Sequence, residues 1–216
     1  MKNIVLIPLN SLSKCKTRLS DVLTDEERKG FTLAMLNDVC NVFFDLGMET
    51  YIVTPEKNMD LEYKANIFYD TSDLNTALVN ATKKIEADTS IIVPADIPLI
   101  KRFHVEKILK MGSDKEIVIV PSRAGGTSLL YRSPKDVIDP LFNGISFFRH
   151  LKLIKEKKLR YAIYDSFLLS IDVDTKQDFV EVLIHGEGTR SYEYLRNIGF
   201  KISFEKEGRP FITRSL

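Results

Sequence analysis

Short, mainly apolar runs alternate along the chain with stretches in which apolar residues recur every three or four positions. The runs fall at Ile4 to Ile7, Tyr51 to Val53, Ile67 to Tyr69, Ile91 to Val93, Ile117 to Val120, Ser128 to Tyr131, Tyr161 to Tyr164 and Phe167 to Ile171. Their length and their β-branched and aromatic content predict strands. Between the first two runs, Thr24-Asp-Glu-Glu27 forms a capping box, so a helix is expected to start there. Its apolar positions Phe31, Met35, Leu36, Val39, Phe43 and Leu46 follow helical spacing, and Gly47 is placed to end it. Further helices are expected from near Asp73 (Leu74, Leu78, Ala81 and Ile85 on one face), over Arg102 to Met111, from a Ser146 cap to Lys157, and over Thr175 to Ile184, closed by Gly186. Beyond Thr189 the pattern gives a short helix and then the run Phe200 to Phe204.

Helices alternating with fully apolar strands predict an α/β three-layer fold around a mainly parallel mixed sheet. The later strands follow one another without helices, which predicts a mixed edge. Neither a repeat, a low-complexity tract nor a linker breaks the pattern, so one domain over 1–216 is expected, with 189–216 as a C-terminal extension. That extension is expected to pack on the domain or to serve an oligomer contact, a homodimer being one form left open.

Composition changes this picture little. The 216 residues suit one domain of generous size, and 44% hydrophobic with 28% charged residues is ordinary for a globular chain. A net charge of +1 gives no global pull toward nucleic acid, so an anion site must be a local cluster. The two cysteines, Cys15 and Cys40, form no metal-type pair, and a reducing cytoplasm is expected. The N-terminal apolar run, closed by Pro8, is too short for a membrane span and reads as the first strand.

A local cation cluster follows that strand: Lys14, Lys16 and Arg18 stand within five positions in the first strand-to-helix connection. Such loops emerge at the carboxyl ends of the strands, where ligands bind, and cations with free N–H groups can cradle a triphosphate. A solvated basic loop explains the same residues. Neither G-x-G-x-x-G nor the P-loop pattern occurs, so a nucleotide would use a different loop. Asp96, in Pro94-Ala-Asp-Ile-Pro-Leu99, follows one apolar run, and Asp172 and Asp174 follow another at a spacing that puts both on one side of an extended chain. Three strand-end carboxylates suit Mg²⁺, although Asp174 before Thr175 could equally cap a helix. Arg123, Gly125, Gly126 and Thr127 lie between two strands, where paired glycines allow close approach of a ligand or make a plain hairpin turn. Gly144 and Ser146 open a helix whose N–H groups could receive an anion or need only a cap. His104, His150 and His185 show no metal-ligand spacing and read as structural; no nucleophile triad or nucleic-acid platform stands out.

Taken together, these motifs resemble the 2-phospho-L-lactate guanylyltransferase family, which begins attachment of the side chain of deazaflavin coenzyme F420. The resemblance covers nearly the whole chain. It rests on Lys14-Cys-Lys-Thr-Arg-Leu19, Ala34-Met-Leu-Asn-Asp38, Asp73-Leu-Asn-Thr-Ala77, Ala95-Asp-Ile-Pro98, Arg123-Ala-Gly-Gly-Thr127, Gly144-Ile-Ser-Phe147 with His150, Tyr164-Asp-Ser-Phe167 and Ser170-Ile-Asp-Val-Asp174. It implies a nucleotide-diphospho-sugar-transferase-like fold, GTP as donor, Mg²⁺ on Asp96, Asp172 and Asp174, and an acceptor such as 2-phospho-L-lactate, phosphoenolpyruvate or a phosphoglycerate near Thr127, Ser146 and Gly144. Asn10 departs from the lysine expected there. Two other readings stay open: a nucleotidyltransferase with a molybdopterin or sugar-phosphate acceptor, and a nucleotide-binding module without turnover.

Overall fold

The structure, a computed structural model, describes residues 1–59, 61–62, 65–204 and 208–215. Seven strands form one sheet: β1 (Asn3–Pro8), β2 (Glu49–Thr54), β3 (Asn66–Tyr69), β4 (Thr89–Ile92), β5 (Ile117–Pro121), β6 (Thr127–Arg132) and β7 (Tyr161–Ile163). Their order is β3-β2-β1-β4-β6-β5-β7. Every neighbouring pair is parallel except those that β6 makes with β4 and β5. The antiparallel strand therefore lies inside the sheet and not at the expected mixed edge. The tight turn after β5 folds β6 back beside it, and the free side of β6 pairs with β4 through Ile91 opposite Tyr131.

The eighth apolar run does not form a strand. Leu168–Ser170 is a 3₁₀ turn, because Ser170 N–H bonds back to the Ser166 and Phe167 carbonyls and Ser170 Oγ also donates to Phe167 O. These local bonds satisfy the backbone that a ladder would otherwise need.

Alternate side chains of the buried strands feed two cores. Val5, Ile7, Ile91, Val118 and Val120 face α1 (Asp25–Asp45) and α3 (Arg102–Met111) on one side of the sheet. Ile4, Leu6, Ile92, Ile117 and Ile119 face α2 (Leu74–Lys84) and α4 (Ser146–Glu156) on the other. The Thr24–Glu27 capping box opens α1, and Gly47, at φ 65°, follows its end. Ser146 does not cap α4: Ile145 holds the cap position, and the Ser146 hydroxyl is engaged with Thr127. The helix expected from Thr175 begins three residues later as α5 (Asp178–His185), because Asp178 Oδ2 accepts from the N–H groups of Asp174 and Thr175 and holds them in a turn.

The C-terminal extension packs on the domain. After α6 (Arg190–Asn197) comes a hairpin of β8 (Phe200–Ser203) and β9 (Phe211–Arg214); residues 205–207 and 216 of the extension lie outside the described residues. A third core joins Phe31 and Met35 of α1 to Phe179, Leu195 and Phe200. The buried Asp38 carboxylate accepts from Arg190 N (2.7 Å), Ser191 N (2.9 Å) and Ser191 Oγ (2.6 Å), opposite the positive end of the α6 dipole. Replacing it with alanine strands these donors away from water. The Asp38→Ala variant is therefore expected to lose about 2–4 kcal/mol of unfolding free energy, measurable by urea titration; an unchanged midpoint would show that the extension is not anchored there.

Candidate active site

The sheet's strand order reverses between β1 and β4, the place where open α/β sheets leave a crevice at the carboxyl ends of their strands. A cavity of about 400 Å³ occupies it. The connection after β1 contributes Asn10, Lys14, Lys16 and Arg18; the segment after β4 contributes Asp96; the segment after β7 contributes Asp172 and Asp174; Gly126, Thr127, Gly144 and Ser146 also line it. Residues far apart in sequence thus meet in one space.

Lys16 is the hinge of the arrangement. It stands at φ 46°, ψ 43°, left-handed backbone that is uncommon for a residue with a side chain. Its ammonium bridges Asp96 Oδ2 at 2.6 Å and Asp174 Oδ1 at 2.8 Å. Burial works against the charge on Lys16, yet Asp96 and Asp174 hold its pKa above the usual lysine value. Burial likewise favours the neutral Asp174 carboxyl, but Lys16, then Arg18 and Arg123, keep it below the ordinary carboxylate range. Asp172 is shifted the other way: burial, then the like charges of Asp96 and Asp174, raise it. Val173 N–H bonds to Asp96 O at 2.9 Å, pinning the two acidic segments together. Among the described residues no three ligand-type side chains are grouped closely enough to hold a metal ion as they stand; Lys16 Nζ lies between two of the three carboxylates.

The structure sorts the remaining expected residues. Arg123 and Gly125 do not line the cavity. Arg123 pairs with the buried Asp178 and donates to Asp172 O, so it braces the acidic segment from outside. Arg123–Gly125 is the tight turn of the β5–β6 hairpin, with Gly125 at φ 83°. Gly126 is extended, at φ −76°, and needs no left-handed freedom; a Cβ there would meet the Ser122 hydroxyl, which would have to turn aside. Gly144, at φ 57°, turns the chain into α4, whose first turn carries no side-chain cap.

Thr127 and Ser146 converge, their hydroxyl oxygens 3.1 Å apart, and the buried His150 stands behind them with Nδ1 3.1 Å from Thr127 Oγ1. Burial, then the charges of Arg132 and Arg149, push His150 down to about 4. His104 accepts the Lys101 N–H in the first turn of α3 and is likewise pushed to about 4, by burial and then by Lys101. Both rings are neutral in the fold down to that pH, whereas an unfolded histidine takes its proton near 6.5. Their contribution to stability is therefore fully present above pH ~6.5 and is lost as pH falls toward ~4, at up to about 1.4 kcal/mol per pH unit for each ring. Urea midpoints across this window should fall steeply; a flat profile would contradict the neutral assignments.

Glu56 and Phe142 carry no legible sequence signal, and Leu74 and Asn75 read only as a helix face and part of a motif. Glu56, beyond β2, accepts from Ser11 Oγ (2.8 Å) and Leu12 N (3.0 Å) and so braces the cationic loop. Leu74 and Phe142 supply apolar wall, and Asn75 Oδ1 holds Phe142 N at 2.8 Å.

The family model described as "Guanylyl transferase CofC like" matches residues 3–214. The chain belongs to that family. It is 43% identical over 204 residues to a 2-phospho-L-lactate guanylyltransferase of a Methanocaldococcus species, covering 92% of this chain and 88% of that protein. It is 42% identical over 207 residues to the protein of the same name from Methanocaldococcus jannaschii, covering 94% and 92%. Among solved structures, a chain from Desulfovibrio desulfuricans described as a nucleotide-diphospho-sugar transferase superposes with TM-score 0.74 at 19% identity, over 91% of this chain and 95% of that one. A nucleotidyl transferase from Methanothermobacter superposes with TM-score 0.61 at 12% identity, over 91% and 99%. These two likenesses show the fold of the chain and nothing further. Among the described residues no helix is long and apolar enough to cross a membrane.

Proposed function

We propose that the protein is a 2-phospho-L-lactate guanylyltransferase. It transfers GMP from GTP to the phosphate of 2-phospho-L-lactate, or of phosphoenolpyruvate or a phosphoglycerate, and releases pyrophosphate, in the route to coenzyme F420. The carrying observation is a single cavity lined by the Lys14, Lys16 and Arg18 loop, the three carboxylates and the Thr127–Ser146 pair. The cations suit a triphosphate and the paired hydroxyls a small anion, so donor and acceptor can meet in the one cavity.

The reaction forms a bond from an acceptor phosphate oxygen to the α-phosphorus of GTP and breaks the bond to the β-phosphate oxygen. A phosphate monoester, with its second pKa near 6, is largely dianionic at neutral pH and needs no general base. The neutral, buried histidines are consistent with that. Alignment and charge neutralisation are the protein's tasks. Lys14, Lys16 and Arg18 bind the β- and γ-phosphates and stabilise the departing pyrophosphate.

Mg²⁺ fits the donor set. The side-chain donors are carboxylate oxygens, and Asp172, raised by burial and then by the charges of Asp96 and Asp174, makes no ion pair of its own among the described residues. Asp96, Asp172 and Asp174 would hold the ion only with the Lys16 ammonium displaced from Asp96 and Asp174, water and phosphate oxygens completing its shell. Bound there, it would neutralise charge on the reacting phosphates. Incubation with GTP, Mg²⁺ and a panel of phosphorylated three-carbon acids, followed by product mass, tests the reading. Guanylylation of a phosphorylated three-carbon acid supports it; turnover only with a sugar phosphate or molybdopterin, or none, defeats it.

A further inference from the structure

Two buried hydroxyls at the acceptor wall have two protons between them, and a third residue decides where they point. The far ring nitrogen of His150, Nε2, accepts the main-chain N–H of Leu141 at 2.9 Å. An accepting ring nitrogen carries no proton, so a neutral imidazole must carry its proton on Nδ1. Neutrality follows from burial and from the cations Arg132 and Arg149 nearby. Nδ1–H then faces Thr127 Oγ1, 3.1 Å away, and shares its proton with the Ser146 carbonyl; Nδ1 therefore takes no proton from Thr127.

We propose that His150 is a positioning residue that makes the Thr127–Ser146 pair a hydrogen-bond donor toward an anionic oxygen of the phosphorylated acid. The inference rests on the functional reading above and adds a residue to it. Proton counting carries the argument. With Nδ1–H facing Thr127, one hydroxyl proton closes the bond between Thr127 and Ser146, and the other remains for the cavity that both residues line. In the opposite tautomer Thr127 would give its proton to Nδ1 and Ser146 would give its own to Thr127. The cavity would then meet only lone pairs, which repel a carboxylate or phosphate oxygen. The Leu141 N–H excludes that tautomer, because it would face an Nε2–H. A loop N–H outside the cavity thereby fixes the polarity of the wall.

Two substitutions separate the two bonds. Asparagine reaches only as far as Nδ1 and keeps an N–H donor for Thr127; glutamine reaches to Nε2 and keeps an acceptor for Leu141. A hydrogen bond to a charged group corresponds to a roughly 10- to 100-fold effect. His150→Gln is therefore expected to raise KM for the phosphorylated acid about tenfold or more, with KM for GTP nearly unchanged and His150→Asn much closer to wild type. Adding His150→Gln to Thr127→Val should raise the acceptor KM no further. A mere loop anchor would reverse the order, sparing His150→Gln and impairing His150→Asn; that order, equal KM values in both variants, or additive effects in the double variant would overturn the proposal. Ring nitrogen-15 shifts of the wild-type protein give a reading that does not depend on variants folding: protonated Nδ1 with bare Nε2 at His150 supports the assignment, and the reverse overturns it. If the active wild-type enzyme gives the wrong pattern, this inference alone falls. If wild type guanylylates no phosphorylated acid, the functional reading falls and the ligand named here with it.

Discussion

If Asp96 holds Mg²⁺ as proposed, Asp96→Asn is expected to lower kcat/KM for GMP transfer by about 10²–10³-fold while the protein stays folded, because losing a metal carboxylate removes several kcal/mol of transition-state stabilisation. Asp96 lies just past β4 and lines the cavity, and one of its oxygens is 2.6 Å from Lys16 Nζ. Asparagine keeps the shape and removes the charge, so a change in kinetics is read as chemistry and not as packing. Asp172→Asn should behave similarly in activity but differ in stability. The Asp172 carboxyl is already raised by burial and by its acidic neighbours, so neutralising it relieves repulsion that Asp96→Asn would exchange for a weakened Lys16 bond. Near-normal turnover of either variant at saturating Mg²⁺ would remove these residues from the metal site.

Lys16→Met is expected to produce the second large effect, a roughly 10²-fold loss of kcat from the missing charge on the departing pyrophosphate. It should also lose about 1–3 kcal/mol of stability, since Asp96 and Asp174 are left without their shared ammonium in a partly buried cluster. Methionine keeps most of the volume and apolar stem, which isolates the charge. Mg²⁺ should raise the melting temperature of Lys16→Met more than that of wild type, because the cation then has no ammonium to displace. Equal Mg²⁺ responses would show that Lys16 does not compete for the carboxylates.

Local chemistry was legible in the sequence, and what depends on distant partners was not. The start of α1 could be read because Thr24 and Glu27 cap each other within four residues, and α3 could be read because its boundaries coincide with its apolar pattern. The apolar run at 167–171 has the length of a strand, and periodicity alone does not separate a short strand from a 3₁₀ turn closed by a serine. The interior place of β6 depends on its pairing with β4, a contact no local pattern encodes. The site divides in the same way. That Asp96 follows a strand is visible along the chain, whereas Asp172 and Asp174 follow a 3₁₀ turn and not the strand expected there, and the bridge from Lys16 to Asp96 and Asp174 joins residues 80 and 158 positions apart. Arg123 reads as a ligand for an anion until the fold brings Asp178 against it. His150, alone on a helix, gives no sign of Leu141 and Thr127 on either side of its ring.

The most direct test of guanylyl transfer uses 2-phospho-L-lactate labelled with oxygen-18 in its phosphate, incubated with unlabelled GTP and Mg²⁺ and followed by mass spectrometry. Attack by the acceptor phosphate on the α-phosphorus predicts a GMP adduct that retains every labelled oxygen, together with an equimolar amount of unlabelled pyrophosphate. An adduct missing one label would mean that the acceptor's own phosphorus is attacked, and no adduct with any phosphorylated three-carbon acid would contradict the assignment itself.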